Sequence, residues 1–195
     1  MTVSLSHAIL GLLTIMPMTG YELKTQAFDK TIAHFWQADQ TQIYRTLAAM
    51  AEAGWVESVT EVQQDRPNRK VYHITDAGRE ELRRWLHAEQ PLPVYREPFL
   101  VQMFFAAELD RETILRHIAQ QRAGHEARLA HYKAIMMTSF TGYELDRRRT
   151  FWRLTLEMGM ALERAYIDWL DQCAAVVQQM GEPEETQAPQ NADGS

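Results

Sequence analysis

Two short runs of this 195-residue chain gather side chains suited to one kind of chemistry. Residues 66–70 are Arg66, Pro67, Asn68, Arg69 and Lys70, three cations in five positions of a chain whose formal net charge is −6. Residues 40–45 hold Gln40, Thr41, Gln42, Tyr44 and Arg45 around the apolar Ile43. Arg and Gln can set two parallel hydrogen bonds on a guanine or adenine edge, whereas Thr, Tyr and Lys hold phosphate oxygens. Each run also has a plainer reading: a solvated turn for 66–70, ordinary surface helix formers for 40–45. The difference rests on whether the chain builds a scaffold that presents both runs together.

The surrounding pattern predicts such a scaffold. Leu5, Ala8, Ile9, Leu12 and Leu13 recur at helical spacing after Ser4, giving a first helix over 4–15. Pro17 and Thr19-Gly20 punctuate the chain, and a second helix over 21–31 turns Leu23, Ala27 and Phe28 inward. Asp39 or Thr41 caps a third helix to Ala53 that buries Ile43, Leu47 and Met50, and Gly54 stops it. The period then falls to two. Trp55, Val56, Val59 and Val62 lead into the polar run, and Val71, Tyr72 and Ile74 lead out, a hairpin. Thr75 caps a fourth helix through Leu82, Trp85 and Leu86, which ends before Pro91 and Pro93. Three helices and a two-stranded wing are the order of a winged helix-turn-helix, whose third helix enters the major groove of duplex DNA while the wing follows the backbone.

Beyond residue 96 only helix is predicted, over 97–108, 111–138 and 144–180. The two long helices carry near-heptad seams, Ile114, Ile118, His125, Leu129, Tyr132 and Met136 in one and Trp152, Leu156, Gly159, Leu162, Tyr166, Leu170, Cys173 and Val177 in the other. A helix of about 30 residues spans about 45 Å, more than a domain this small needs internally, so a partner chain is expected. The fold class is thus mainly α: a winged helix-turn-helix over 1–89, a linker over 90–96, a helical dimerisation and effector domain over 97–180, and a disordered acidic tail over 181–195. The tail carries four acidic and no basic residues, so much of the net charge lies away from the two runs, and phosphate neutralisation acts only within about 10 Å.

Several classes are excluded by what is missing. Cys173 is the single cysteine, so no intrachain disulfide forms and its seam position favours packing over redox sensing. No two of the seven histidines stand three or four apart, which leaves no metal site to predict. The chain has no G-x-G-x-x-G or G-x-S-x-G run, no cofactor motif, no membrane-length apolar stretch and no signal-peptide pattern at Met1. A cytoplasmic binding protein is expected rather than an enzyme. The alternative is a winged-helix module that contacts protein instead of DNA, which overall acidity would suit.

The motifs resemble those of the PadR-like bacterial transcriptional regulators, in particular the phenolic-acid-responsive repressor branch. The matching stretches are AILGLL (8–13), TGYEL (19–23), HFW (34–36), TQIYRTLAAMAEAGWV (41–56), RKVYHITDAGREEL (69–82), WL (85–86), QPLP (90–93), MFF (103–105) and ALERAYIDWL (161–170). Many relatives have proline after the QIY tyrosine, where this chain has Arg45, which adds a possible DNA contact and separates its operator from theirs. The resemblance implies a homodimer, a palindromic operator in double-stranded DNA and release by a small aromatic acid bound between the two domains, where Tyr21 and Trp36 could contribute. In the second half Phe99, Met103, Phe104, Tyr132, Met136, Trp152 and Met158 supply apolar walls, with His131 and Arg153 as polar candidates and Arg153 suited to a carboxylate. Ordinary core and dimer packing is the competing reading of that set.

Overall fold

The computed structural model describes residues 5–62, 68–141 and 145–181. The chain divides into two compact units, Met1–Pro93 and Val94–Ser195. Its fold is mainly α, with a winged helix-turn-helix in the first unit and, among the described residues, helices alone in the second.

The first unit opens with α1 (Leu5–Leu13), which packs against α3, α4 and β3. Contact on several sides explains why Leu10 is as fully buried as Ile9, although helical spacing puts it off the Leu5–Ala8–Leu12 stripe. Ser4, the expected cap, lies outside the described residues. A strand that periodicity does not reveal, β1 (Met18–Thr19), pairs antiparallel with β3, Met18 opposite Tyr72 and Thr19 opposite Val71. Two residues are too few to show a period of two. The Thr19 side chain accepts from Glu22 N, and the Glu22 carboxylate accepts from Thr19 N, a reciprocal cap that starts α2 (Gly20–Glu22). The helix continues as π-helical turns over Leu23–Thr31, with Leu23, Ala27 and Phe28 buried.

A second reciprocal cap, Asp39 with Gln42, starts α3 (Gln40–Glu52), which buries Ile43, Leu47 and Met50 as its spacing predicts. Gly54, at φ 71°, ends it in the left-handed region where a side chain would be strained. The hairpin is β2 (Val56–Glu61) and β3 (Arg69–Ile74), in register from Val56 opposite Ile74 to Glu61 opposite Arg69, in a three-stranded sheet of order β1-β3-β2. β2 buries Val56 alone, and Val59 is exposed because the hairpin runs out beyond the core. α4 (Asp76–His87), capped by Thr75, returns to the core through Leu82, while Leu86 faces solvent.

The second unit starts with α5 (Pro98–Phe104), capped by the Glu97 carboxylate. The single helix expected over 97–108 is interrupted at Phe105 (φ −104°, ψ 15°), after which Ala106–Glu108 forms a separate 3-10 turn. α6 (Arg111–Ser139) and α7 (Arg147–Gln179) are capped by Asp110 and Asp146 and pack along each other. The predicted start of α7 at Glu144 lies outside the described residues, as does the tail from residue 182 onward.

Two apolar clusters line the α6–α7 seam, Phe99, Ile118, Leu170 and Val177 in one, Leu129, Tyr132, Leu156 and Met160 in the other. His125 and Glu163 are the polar residues buried in this unit, 6% and 8% exposed, and His125 Nδ1 donates to Glu163 Oε2 at 2.5 Å. The seam of α7 thus uses Met160 and Glu163, whereas Leu162 and Trp152, predicted to line it, face outward. A glutamate reads as surface in any hydrophobic pattern, so the true stripe is hidden by the residue at its centre.

Candidate nucleic-acid interface

The exposed side of α3 begins at Gln40, Thr41 and Gln42 and continues through Tyr44 and Arg45, opposite the buried Ile43–Leu47–Met50 stripe. Asp39 Oδ1 accepts from Gln42 N at 2.7 Å, and Gln42 Oε1 accepts from Asp39 N at 3.3 Å. The amide oxygen of Gln42 is therefore committed to the helix cap. A bidentate adenine contact needs both ends of that amide, so Gln42 has to leave the cap to make one. Arg45 is exposed and unpaired among the described residues. Tyr44 is 43% exposed, with its ring laid against the backbone at Gly20.

On the wing, Asn68, Arg69 and Lys70 are all exposed, and Arg66 lies outside the described residues. Arg69 is not a bare cation. Its Nε donates to Glu61 Oε2 at 2.6 Å across the hairpin, and its Nη1 donates to Glu22 Oε1 at 3.3 Å at the start of α2. The hydrogen bond and charge of Glu61 hold its guanidinium more basic than usual. The Glu22 carboxyl is held below the ordinary carboxylate range, chiefly by the Thr19 backbone N–H, with burial opposing and the Thr19 hydroxyl and Arg69 assisting. Lys70 forms no ion pair among the described residues, and its ammonium lies 5.4 Å from the Tyr72 ring centroid. Among the described residues of the two runs, Arg45 and Lys70 are thus the cations without an ion pair, one from each run, and both are joined to the same core through α3 and β3.

Within the second unit the effector candidates fall on different clusters and faces. Phe99 and Met103 belong to one apolar cluster of the second unit, Tyr132 and Met136 to the other. Phe104 is 83% exposed, His131 and Met158 are exposed, and Trp152 is partly so. Arg153 Nε lies 3.2 Å from Glu157 Oε1, one turn along its own helix. In the first unit Tyr21 faces solvent and Trp36 packs against the core. An open depression of about 450 Å³ in the first unit is lined by Lys24, Phe28, Asp29, Ala33, Gln37, Ala38, Asp39 and Gln42, and none of the candidates borders it. Sequence reasoning missed the carboxylates that restrain the wing, Glu22 and Glu61. The first had a signal, since T-x-x-E at residues 19–22 is a capping-box pattern.

Among the described residues no group of His, Cys, Asp or Glu could hold a metal ion, and no helix is long and apolar enough to cross a membrane.

Residues 9–84 match the Transcriptional regulator PadR-like family and residues 95–178 match Virulence activator alpha C-term. A probable transcriptional regulator of Mycobacterium tuberculosis is 34% identical over 189 residues, covering 90% of this chain and 98% of that protein. The negative transcriptional regulator PadR of Bacillus subtilis is 28% identical over 182 residues, 89% of this chain and 97% of its own length. Its crystal structure in complex with operator DNA aligns with a TM-score of 0.79 at 26% identity over 89% of this chain and 98% of that one, and its complex with p-coumaric acid with 0.75 at 26% identity over 90% and 99%. The Vibrio cholerae virulence activator AphA aligns with a TM-score of 0.74 at 30% identity, over 91% of this chain and all of that one.

Proposed function

Since this chain belongs to the PadR-like family of transcriptional regulators, we propose that it is a homodimeric repressor that binds a palindromic operator in duplex DNA and is released by a small aromatic carboxylic acid. The observation that carries this reading is the common presentation of two cations with no ion pair among the described residues, Arg45 at the exposed start of α3 and Lys70 on the wing, in a fold that aligns with a relative solved on operator DNA. Thr41 and Tyr44 serve the phosphates, Gln40 and Arg45 the base edges, Gln42 a base edge once it leaves the cap, and Asn68, Arg69 and Lys70, with Arg66, the backbone beside the wing. The family comprises regulators and not enzymes. Work on chromosomal DNA makes the cytoplasm its place of action.

Gel-shift titration against DNA from upstream of the chain's own gene tests the core of the proposal. A sequence-selective shift that weakens steeply as salt rises supports it; no selective shift at low salt refutes it. A pull-down of protein partners that survives high salt and nuclease would favour the protein-interaction reading instead.

The domain roles follow: 1–89 for DNA, 90–96 as linker, 97–180 for dimer formation and effector response. Phe151, Leu154, Met158 and Leu162 leave an apolar stripe on α7 at helical spacing, and a second copy of the chain is the partner that suits it. Sedimentation at micromolar concentration should give a dimer. For the effector, p-coumaric acid bound to the Bacillus relative directs the choice to hydroxylated aromatic acids. A ligand that prefers a dimer whose two α3 helices are spaced away from one turn of DNA, about 34 Å, lowers operator affinity by that preference. At 100 times its dissociation constant such a ligand stabilises the protein by about 2.7 kcal/mol, readily seen in a thermal-shift screen. The match of the second unit to a family named for a virulence activator favours one rival, activation, and a promoter fusion in cells lacking the chain decides the sign.

A further inference from the structure

We propose that Gly20 is a positioning residue for DNA binding: it is the seat on which the Tyr44 ring rests, and it sets where that ring stands on the exposed side of α3. This rests on the reading above of Tyr44 as a DNA contact and adds a residue that touches no DNA itself.

Gly20 is buried, and a Cβ built on it would stand 2.6 Å from Tyr44 Cε1, 2.7 Å from Cζ and 3.2 Å from Cδ1. Carbon atoms do not approach so closely, so a methyl group there must push the ring away. The backbone itself makes no demand for glycine. Among the described glycines Gly54 alone has positive φ, and Gly20 sits at the first position of α2, where alanine is the better helix former. What remains to require glycine is the ring.

The seat is fixed on both sides. Thr19 pairs with Val71 of β3, one residue from Lys70, and Thr19 and Glu22 close the cap that starts α2. A ring resting on Gly20 is therefore referenced to the wing strand as well as to its own helix. Tyr44 is 43% exposed, so part of it stays accessible while the ring rests on Gly20. Tyrosine has few rotatable bonds, so a ring held on one face can be aimed at little entropic cost.

The test is a double-mutant cycle on the full chain, with binding to the upstream DNA duplex measured by anisotropy. Gly20→Ala should weaken binding by about tenfold, the scale of one lost positioned contact. Tyr44→Ala should weaken it at least as much, and the double variant should bind within about twofold of Tyr44→Ala. A purely structural glycine would cost the same factor in both backgrounds, and that result overturns the proposal. So does unchanged binding by Gly20→Ala when Tyr44→Ala is impaired. If Gly20→Ala melts below the wild type, the double variant must melt no lower than Tyr44→Ala, and a further drop below Tyr44→Ala also overturns the seat. Unchanged binding by Tyr44→Ala alone refutes the assignment of Tyr44 to DNA, a separate failure from that of the seat.

Discussion

Replacing His125 and Glu163 by leucine, singly and together, should give three very unequal stabilities. In the wild type the Glu163 carboxylate sits between His125 Nδ1 at 2.5 Å and Arg128 Nε at 3.4 Å, and His125 stacks on Tyr166 with ring centroids 4.3 Å apart. His125→Leu leaves a carboxylate that is 8% exposed with only the longer Arg128 contact, and a buried charge stripped of a partner costs about 3–5 kcal/mol. The residual Arg128 contact puts the value near the lower end, about 3 kcal/mol. Glu163→Leu removes the carboxylate acceptor of His125 Nδ1 but leaves Arg128 Nη2 at 2.9 Å, a donor that the imidazole can accept in its other tautomer, so the loss should lie at the lower end of about 1–3 kcal/mol. The double variant removes both polar groups from between two apolar clusters and should lie within about 1 kcal/mol of the wild type. In thermal unfolding at one fixed protein concentration, His125→Leu should melt about 6–12 °C below the wild type, and the double variant should recover most of that. Additivity, with the double variant losing the sum of the two single losses, would refute the view that the pair is a coupled unit set into an apolar seam.

Three further outcomes follow from the DNA-facing unit. Lys70→Ala should weaken binding about equally on all sequences and lower the salt slope by about one, and Arg69→Ala should lower it by less because two carboxylates already hold that cation; Arg45→Ala and Gln42→Ala should instead change sequence preference in a binding-site selection. Asp39→Ser keeps the cap of α3, whereas Asp39→Ala should cost about 1 kcal/mol in urea unfolding, since Asp39 Oδ1 holds the Gln42 N–H. Because the folded Glu22 carboxyl lies below its ordinary value of 4.5, its contribution to stability is full above that value and is lost as pH falls through the lower, folded one. Acid titration should therefore show a smaller loss of stability below about pH 4.5 in Glu22→Gln than in the wild type, the remainder belonging to Glu81, Asp110 and Asp171, whose carboxyls are also held low.

The first unit was legible because its signals are redundant: an apolar stripe, a cap and a stop mark α3, and the Thr75 cap and Leu82 mark α4. β1 was not, since two residues carry no period and Met18 and Thr19 acquire strand character only from β3 beside them. The second unit gave its helix lengths but not its inner face, because Glu163 breaks the apolar pattern and is admitted to the core by its contacts with His125 and Arg128. The DNA-facing residues stood out by composition; which of their polar groups are already engaged did not. That Gln42 turns back on Asp39 and Arg69 on Glu22 and Glu61 depends on backbone positions 3, 8 and 47 residues away.

Those engagements also resolve the apparent conflict between an acidic chain and a polyanionic partner. Among the described residues, three carboxylates of these elements are not loose negative charges: Asp39 is spent on the α3 cap, Glu22 on the α2 cap and Arg69, and Glu61 on Arg69. A carboxylate holding an N–H or a guanidinium projects less field than a bare one, and screening confines what is left to about 10 Å. Arg45 and Lys70 carry charge with no such compensation. An approaching phosphate therefore meets a local field set by two cations rather than by the formal net charge of −6. It follows that neutralising Arg45 and Lys70 together should lower the salt dependence of binding, whereas adding two acidic residues far from α3 and the wing should leave it almost unchanged. Equal effects from the two changes would mean that total charge governs binding, and the assignment of the interface to α3 and the wing would fall.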